Sequence, residues 1–249
     1  MNLFLTAAQE TPVIQKIWNL VDWIALKWNG STAAQVAVIV IGAAICMIVP
    51  YLLGSISPAI LLSRRVCGTD VRTVGRKSAG TYNMLVSFGK KMAIISALCE
   101  FFIAYAAVWF GMLIWGSDGA GLALFFVVFG NMFPLFYRLS GGKGIVTMIG
   151  AAAAINPIVA VLLLIVFFLS VYATKLVPFG SVAICLLYPL FLRAFSGYAL
   201  PLAMSVFVTF FVLFAHRHNY RRVQEGKEEK FYFSTYLKKK KAEGSDDDK

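Results

Sequence analysis

The chain has 249 residues, of which 59% are hydrophobic and 14% charged. A soluble domain carries about 45–50% apolar and about 25% charged residues, so a soluble globular fold is excluded, and so is a large extramembrane catalytic domain. The formal net charge is +11, a balance that suits nucleic acid, anionic lipid or a phosphorylated ligand. Because the basic residues sit in loops between apolar segments, with no soluble face of base-stacking aromatics, the partner expected is the lipid bilayer and an anionic ligand, not nucleic acid.

The first ten residues, MNLFLTAAQE, carry no basic n-region and no long apolar run, so a cleavable signal peptide is not expected. Over residues 12–28 apolar side chains recur at helical spacing (Ile14, Ile17, Trp18, Val21, Ala25, Trp28), while Lys16, Asp22 and Lys27 make the stretch too polar to span. It reads as an amphipathic helix in the membrane interface, with Trp18, Trp23 and Trp28 at headgroup depth. Apolar segments follow at about 33–63, 92–116, 120–137, 145–155, 157–173, 176–192 and 198–215.

Loop charge sets the topology. Arg64, Arg65, Arg72, Arg76, Lys77, Lys90 and Lys91 crowd the loop after the first segment, Arg138 and Lys143 the 138–144 loop, and Arg217, Arg221, Arg222 and the Lys238–Lys241 run the tail. The positive-inside rule puts all three in the cytoplasm. An even number of crossings must then separate the 138–144 loop from the tail, which forces a turn at Asn156-Pro157. It also leaves the 145–155 helix only about 17 Å long. The expected fold is an all-α membrane protein, a seven-transmembrane helix bundle, N-terminus outside and C-terminus cytoplasmic. Its expected units are an N-terminal extension with the interfacial helix (1–32), the seven-helix membrane domain (33–215) and a cytoplasmic tail (216–249). The distal part of that tail, KKKKAEGSDDDK, has the composition of a disordered segment.

Four cysteines occur, Cys46, Cys99 and Cys185 in apolar segments and Cys67 in a loop, with no Cys-x-x-Cys pair. Neither a disulfide framework nor a zinc site is expected. His216 and His218 stand two apart and do not share a helical face, which argues against a metal there; no cofactor is expected.

Three basic motifs carry chemistry. The first joins Gly54-Ser55-Ile56-Ser57-Pro58 to the loop RRVCGTDVRTVGRKSAGTYN. Glycines expose backbone N–H groups and cations add charge, so Arg72, Gly75, Arg76, Lys77, Ser78, Gly80 and Asn83 are candidate phosphate ligands, with Ser55 hydrogen-bonding at the site. A helix-packing, proline-kinked Gly-Ser segment and an ordinary cytoplasmic loop are the plain alternatives. The second is Ser140-Gly141-Gly142-Lys143-Gly144. It is not a Walker A loop, since Tyr137 stands where the first glycine belongs and Gly144 where Ser or Thr belongs. Lys143 among Gly141, Gly142 and Gly144, at the mouth of a short apolar helix, can instead meet an anion there. A loop that merely sets topology is the alternative. In the third, His216-Arg217-His218-Asn219-Tyr220-Arg221-Arg222, a continuing helix places His216, Asn219 and Arg222 near one face, an arrangement suited to a polar substrate. A bland juxtamembrane charge cluster is its alternative. Glu100, inside an apolar segment, is a functional candidate by its cost alone.

In order, these strings resemble the bacterial acyl-phosphate:glycerol-3-phosphate acyltransferase family from about Leu53 to about Gly226. They are Gly54-Ser55-Ile56, Asp70-Val71-Arg72, Gly75, Gly80, Asn83, Gly89-Lys90-Lys91, Phe133-Pro134, Gly141-Gly142-Lys143-Gly144, and His216-Arg217 with Asn219, Arg222 and Gly226. The resemblance implies seven spans with cytoplasmic motifs, in a bacterial inner (plasma) membrane. It also implies acyl transfer from acyl phosphate to the 1-hydroxyl of glycerol 3-phosphate, giving lysophosphatidate and phosphate in phospholipid biosynthesis. An enzyme that makes acyl phosphate is the partner such a reaction implies. Ser55, Lys143, His216 and Asn219 are the expected catalytic residues, with the loop residues and Arg222 on substrate phosphate. The family's phosphate loop usually reads Gly-Ser-Gly-Asn-x-Gly-Ala-Thr-Asn with an arginine three residues on; here it reads Gly75-Arg76-Lys77-Ser78-Ala79-Gly80-Thr81-Tyr82-Asn83, then Val86. The rival functions are a transporter of a phosphorylated solute or lipid, for which the break at Asn156-Pro157 would serve, and a non-catalytic relative.

Overall fold

The structure, a computed structural model, describes residues 20, 21, 24, 32–228, 230 and 231. Apart from Leu20, Val21 and Ile24, the expected interfacial helix lies outside the described residues, as does the tail from 232 on. Every regular element among the described residues is helical. The elements are α1 (Thr32–Gly54), α2 (Pro58–Val66), α3 (Thr81–Met132), α4 (Ile145–Ile155), α5 (Pro157–Thr174), α6 (Val177–Phe195), α7 (Ala199–Ala215) and α8 (Arg217–Gln224), with a 3-10 turn at Leu135–Tyr137.

Two expected segments change shape. The first apolar stretch, 33–63, divides into α1 and α2. Ser57 is extended (φ −94°, ψ 103°) and Pro58 opens α2, where its missing N–H leaves no hydrogen bond unmade. The segments 92–116 and 120–137 belong to one 52-residue element, α3, with non-helical dihedrals at Gly89, Trp115 and Gly116. The chain turns at Trp115-Gly116 instead of in the gap at 117–119 left between those two segments. Gly116 supplies the positive φ of 52°. A Cβ on Gly111 would lie 2.4 Å from the Gly119 carbonyl oxygen, although a straight helix would separate these residues by about 12 Å. α3 is therefore bent into two closely packed arms.

Backbones approach closely elsewhere too. A Cβ on Gly54 would sit 2.1 Å from Val127 O, and one on Gly130 2.3 Å from Tyr51 O, so α1 lies directly on the second arm of α3. α4 lies on the first arm, and α7 packs against α3. The turn required by the charge argument is present. Asn156 caps α5 by accepting from Ile158 N at 2.9 Å, and its side-chain amide donates to Phe195 O at 2.8 Å.

Leu124, Val127, Met148, Leu163, Ile184 and Tyr188 fill the core. The outer surface is equally apolar: Val40, Phe102, Leu169 and Phe210 are each at least 60% exposed. Such an outside is tolerable only against hydrocarbon. Four helical stretches among the described residues are long and apolar enough to cross a membrane, and α7 with α8, bent by 48°, makes a fifth. One of those stretches contains both arms of α3, and α4 adds a shorter apolar helix. α1, the two arms of α3 and α4 to α7 thus supply the seven segments of a helical membrane protein.

Candidate active site

The loop after α2 folds around one amide. Asn83, buried in the first turn of α3, donates through Nδ2 to Val71 O (2.6 Å), Ser78 O (2.9 Å) and Val74 O (3.2 Å). Its Oδ1 accepts from Arg76 N at 2.7 Å and from Ser87 Oγ at 3.3 Å. Gly75 lies against this amide with φ of 53°, where a Cβ would come within 2.6 Å of Asn83 Oδ1. The hydrogen-bonding capacity of Asn83 is therefore spent inside the loop. The result is a tight coil that presents Arg76, Lys77 and Ser78 at its surface.

Arg72 fastens this loop to the next. Its Nη1 donates to Tyr137 O (2.9 Å) and Ser140 O (3.0 Å), while Nη2 reaches Asp70 at 2.9 Å. The Arg72 guanidinium, seconded by Arg64, holds the Asp70 carboxyl well below the usual carboxylate range. Ser55, fully buried, donates to Tyr51 O at 2.8 Å and accepts from Leu135 N at 3.2 Å, so the end of α1 carries the 3-10 turn. Gly141 and Gly142 donate their N–H groups to Met132 O and Asn131 O, and a Cβ on Gly141 would meet Asn131 O at 2.1 Å. The second loop is thereby laid flat on the end of α3, and Lys143 projects from it.

Lys143 donates to Asn219 Oδ1 on α8. Burial pushes its ammonium down to about 8, with Arg76 and Arg222 adding repulsion and Glu228 opposing. His216, at the junction of α7 and α8, is buried; burial, then the Lys143 charge, drives its imidazole down to about 4. The ring is neutral at pH 7. Its Nδ1 lies 2.8 Å from Val212 O, which can only accept, so Nδ1 bears the proton and Nε2 is left as an acceptor. Arg76 pairs with Glu228 at 2.7 Å and Arg222 with the same carboxylate at 3.4 Å.

These groups close one end of a cavity of about 830 Å³. Its polar lining includes Arg76, Lys77, Ser78, Gly80, Thr81, Tyr82, Asn83, Lys90, Lys143, Gly144, Ser181, His216, His218, Asn219 and Arg222. The N-terminus of α3 opens there with Gly80 as an N-cap that offers no side chain to the first N–H groups, an arrangement that favours an anion. Thr81 Oγ1 is buried without a hydrogen-bond partner among the described residues. The remaining walls are apolar: Ile94, Ala97, Leu98 and Phe101 from α3, Ile145 and Ile149 from α4, Leu164, Phe167 and Phe168 from α5. Glu100 faces the same cavity and accepts a hydrogen bond from Thr147 Oγ1 at 2.7 Å, bridging α3 to α4. Among the described residues no group of three His, Cys, Asp or Glu side chains is placed to hold a metal.

Of the residues singled out in the sequence, Lys143, His216, Asn219, Arg76, Lys77, Ser78, Gly80, Asn83, Gly144 and Arg222 line the cavity. Ser55, Arg72, Gly75, Gly141 and Gly142 do not; their contacts are with backbone and neighbouring loops. Thr81, Tyr82, His218 and Glu228, which also meet here, are not among the expected site residues. The first three stood inside quoted motifs and differ from their neighbours by no pattern, and Glu228 reaches Arg76 across 152 residues of chain.

A sequence model described as Glycerol-3-phosphate acyltransferase matches residues 44–226. A glycerol-3-phosphate acyltransferase of Clostridioides difficile (strain 630) is 36% identical over 192 residues, covering 75% of this chain and 94% of the relative. One of Finegoldia magna is 33% identical over 74% of this chain and 93% of its own length. Among solved structures, the glycerol 3-phosphate form of PlsY (YgiH), an integral membrane glycerol 3-phosphate acyltransferase, superposes with a TM-score of 0.73 at 27% identity, over 78% of this chain and 98% of that one. Its lysophosphatidic acid form gives 0.69 at 25% identity. On these matches, the chain belongs to the glycerol-3-phosphate acyltransferase family.

Proposed function

We propose that this protein is a membrane acyltransferase that moves an acyl chain from acyl phosphate to the 1-hydroxyl of glycerol 3-phosphate, making lysophosphatidate for phospholipid biosynthesis. The observation that carries the reading is one juxtaposition. Cations from two separate loops and from α8 (Arg76, Lys143, Arg222) meet at one end of a cavity whose other walls are mostly apolar. The polar end suits phosphate and the apolar end an acyl chain. The glycerol 3-phosphate and lysophosphatidic acid forms of the similar PlsY structure carry a phosphate and an acylated phosphate of this kind.

The chemistry asks little of a protein base. The glycerol hydroxyl oxygen attacks the acyl carbonyl carbon, the new ester C–O bond forms, and the C–O bond to phosphate breaks. Inorganic phosphate leaves with the hydroxyl proton on one of its oxygens. Two anions must be brought together against their repulsion, and charge on the leaving phosphate must be stabilised. Lys143, Arg76, Arg222 and Lys77, with the N-terminus of α3, do that work. His216 is too weak a base for the proton at pH 7 but presents Nε2 as a hydrogen-bond acceptor to a hydroxyl, and Asn219 fixes the Lys143 ammonium. Ser55, Arg72, Gly75, Asn83, Gly141 and Gly142 hold the loops that carry these groups. Topology follows from the same site: the cationic end faces the cytoplasm, with the N-terminus outside.

The reading is tested by supplying the purified chain with labelled glycerol 3-phosphate and, in turn, palmitoyl phosphate, palmitoyl coenzyme A and palmitoyl acyl carrier protein. Lysophosphatidate is expected from palmitoyl phosphate alone. Product from either thioester alone would overturn the donor assignment, and vectorial movement of substrate without product would make the chain a transporter.

A further inference from the structure

Glu228 has no part in the chemistry proposed above, yet its side chain is only 2% exposed. It stands two residues past 226, where the family match ends. A buried carboxylate is strongly unfavourable unless paired. This one is paired twice, with Oε1 accepting from Arg76 Nη1 at 2.7 Å and Oε2 lying 3.4 Å from Arg222 Nε. Arg76 is held on its face as well, its guanidinium carbon lying 4.6 Å from the centre of the Tyr82 ring. Tyr82 in turn meets the edge of Phe231 at 6.0 Å, and Phe231 N donates to Lys175 O at 2.7 Å. The segment after α8 is thus tied down beside the cavity at both Glu228 and Phe231.

The edge of the guanidinium that Glu228 does not use decides what this contact does. Arg76 Nε and Nη2 are buried and have no hydrogen-bond partner among the described residues, and Arg76 lines the cavity. That pair of N–H groups is the fork that grips a phosphate with two parallel hydrogen bonds. A carboxylate acting as a stand-in for substrate phosphate would occupy the fork. Glu228 instead takes the remaining terminal nitrogen and leaves the fork without a partner among the described residues. We propose that Glu228 is a positioning residue: with Tyr82 it clamps Arg76 so that the Nε/Nη2 edge is presented to the phosphate of glycerol 3-phosphate. The proposal rests on the acyltransferase reading. Glu228, beyond the matched region, then becomes part of the substrate site.

The test uses the full chain in nanodiscs, with calorimetric titration of glycerol 3-phosphate beside acyl-transfer rates. Glu228→Gln keeps the shape and removes the charge. It is expected to weaken glycerol 3-phosphate binding about tenfold and raise its KM by a like factor, with kcat and the KM for acyl phosphate changed less than about twofold. In an Arg76→Ala background the same change is expected to add less than about twofold, because the clamped group is gone. Tyr82→Leu, which removes only the stacked face, is expected to raise the same KM about threefold. Unchanged or tighter binding in Glu228→Gln, or a penalty undiminished without Arg76, would overturn the clamp while leaving the acyltransferase reading intact. Failure of the unmodified chain to bind glycerol 3-phosphate would overturn that reading itself.

Discussion

At one end of the cavity, Ile94, Ala97, Leu98, Phe101, Ile149 and Phe167 are held by helices that pack along their length. At the other, Arg76, Lys143 and Arg222 are held by a few identifiable hydrogen bonds and one ion pair, through Asn83, Arg72, Asn219 and Glu228. The apolar end rests on dispersion and shape shared among many atoms, so one substitution reshapes it without dismantling it. The polar end rests on directional contacts between buried groups, where loss of one partner leaves others unsatisfied. Substitutions of equal size should therefore have unequal effects at the two ends.

The largest effect is expected at Lys143. Lys143→Ala removes a largely buried cation from the polar end of the cavity and should lower kcat/KM for acyl transfer by at least about a thousandfold in membranes, while the protein stays folded by circular dichroism. A variant within tenfold of the parent would break the comparison at its strongest point. Next comes Asn83→Ala, which strands the carbonyls of Val71, Val74 and Ser78. It should cost about 2–4 kcal/mol of stability, read as a lowered thermal midpoint accompanied by lost activity. At the apolar end, Ala97→Phe is expected to be milder and selective. It should reduce kcat/KM for palmitoyl phosphate about tenfold relative to octanoyl phosphate, with the KM for glycerol 3-phosphate unchanged. The smallest effect is that of pH. Lys143 titrates in the free protein near about 8, and kcat/KM reports free-protein groups. Activity should therefore hold between pH 6 and 7, fall to about half near pH 8 and continue down as the ammonium loses its proton. His216, pushed down to about 4, should add no step between pH 6 and 7.

The same contrast explains how much was legible in the sequence. The bundle was legible because hydrocarbon imposes length and apolarity on every crossing and cations mark one side. Even the unpromising turn at Asn156-Pro157 followed from counting crossings, and α4 and α5 begin and end where the residues indicate. The bend at Trp115-Gly116 was misplaced by a few residues, because a tight bend between two apolar helices needs one glycine with positive φ and no charged link. The cation cluster was legible as a set. The division of labour inside it was not, since a loop that grips phosphate and a loop that merely supports another have the same composition. Ser55, Arg72, Gly141 and Gly142 read like ligands and turn out to bind backbone. Glu228 was invisible because nothing near it in sequence shows that two arginines will come to it.

The central claim, that two loops and α8 form one seat for phosphate, is tested most directly by titrating glycerol 3-phosphate and glycerol into the purified chain and into Lys143→Ala. Saturable binding of glycerol 3-phosphate is expected, displaced by inorganic phosphate, absent for glycerol and lost in Lys143→Ala. Equal binding of glycerol, or unchanged binding by the Lys143 variant, would contradict it.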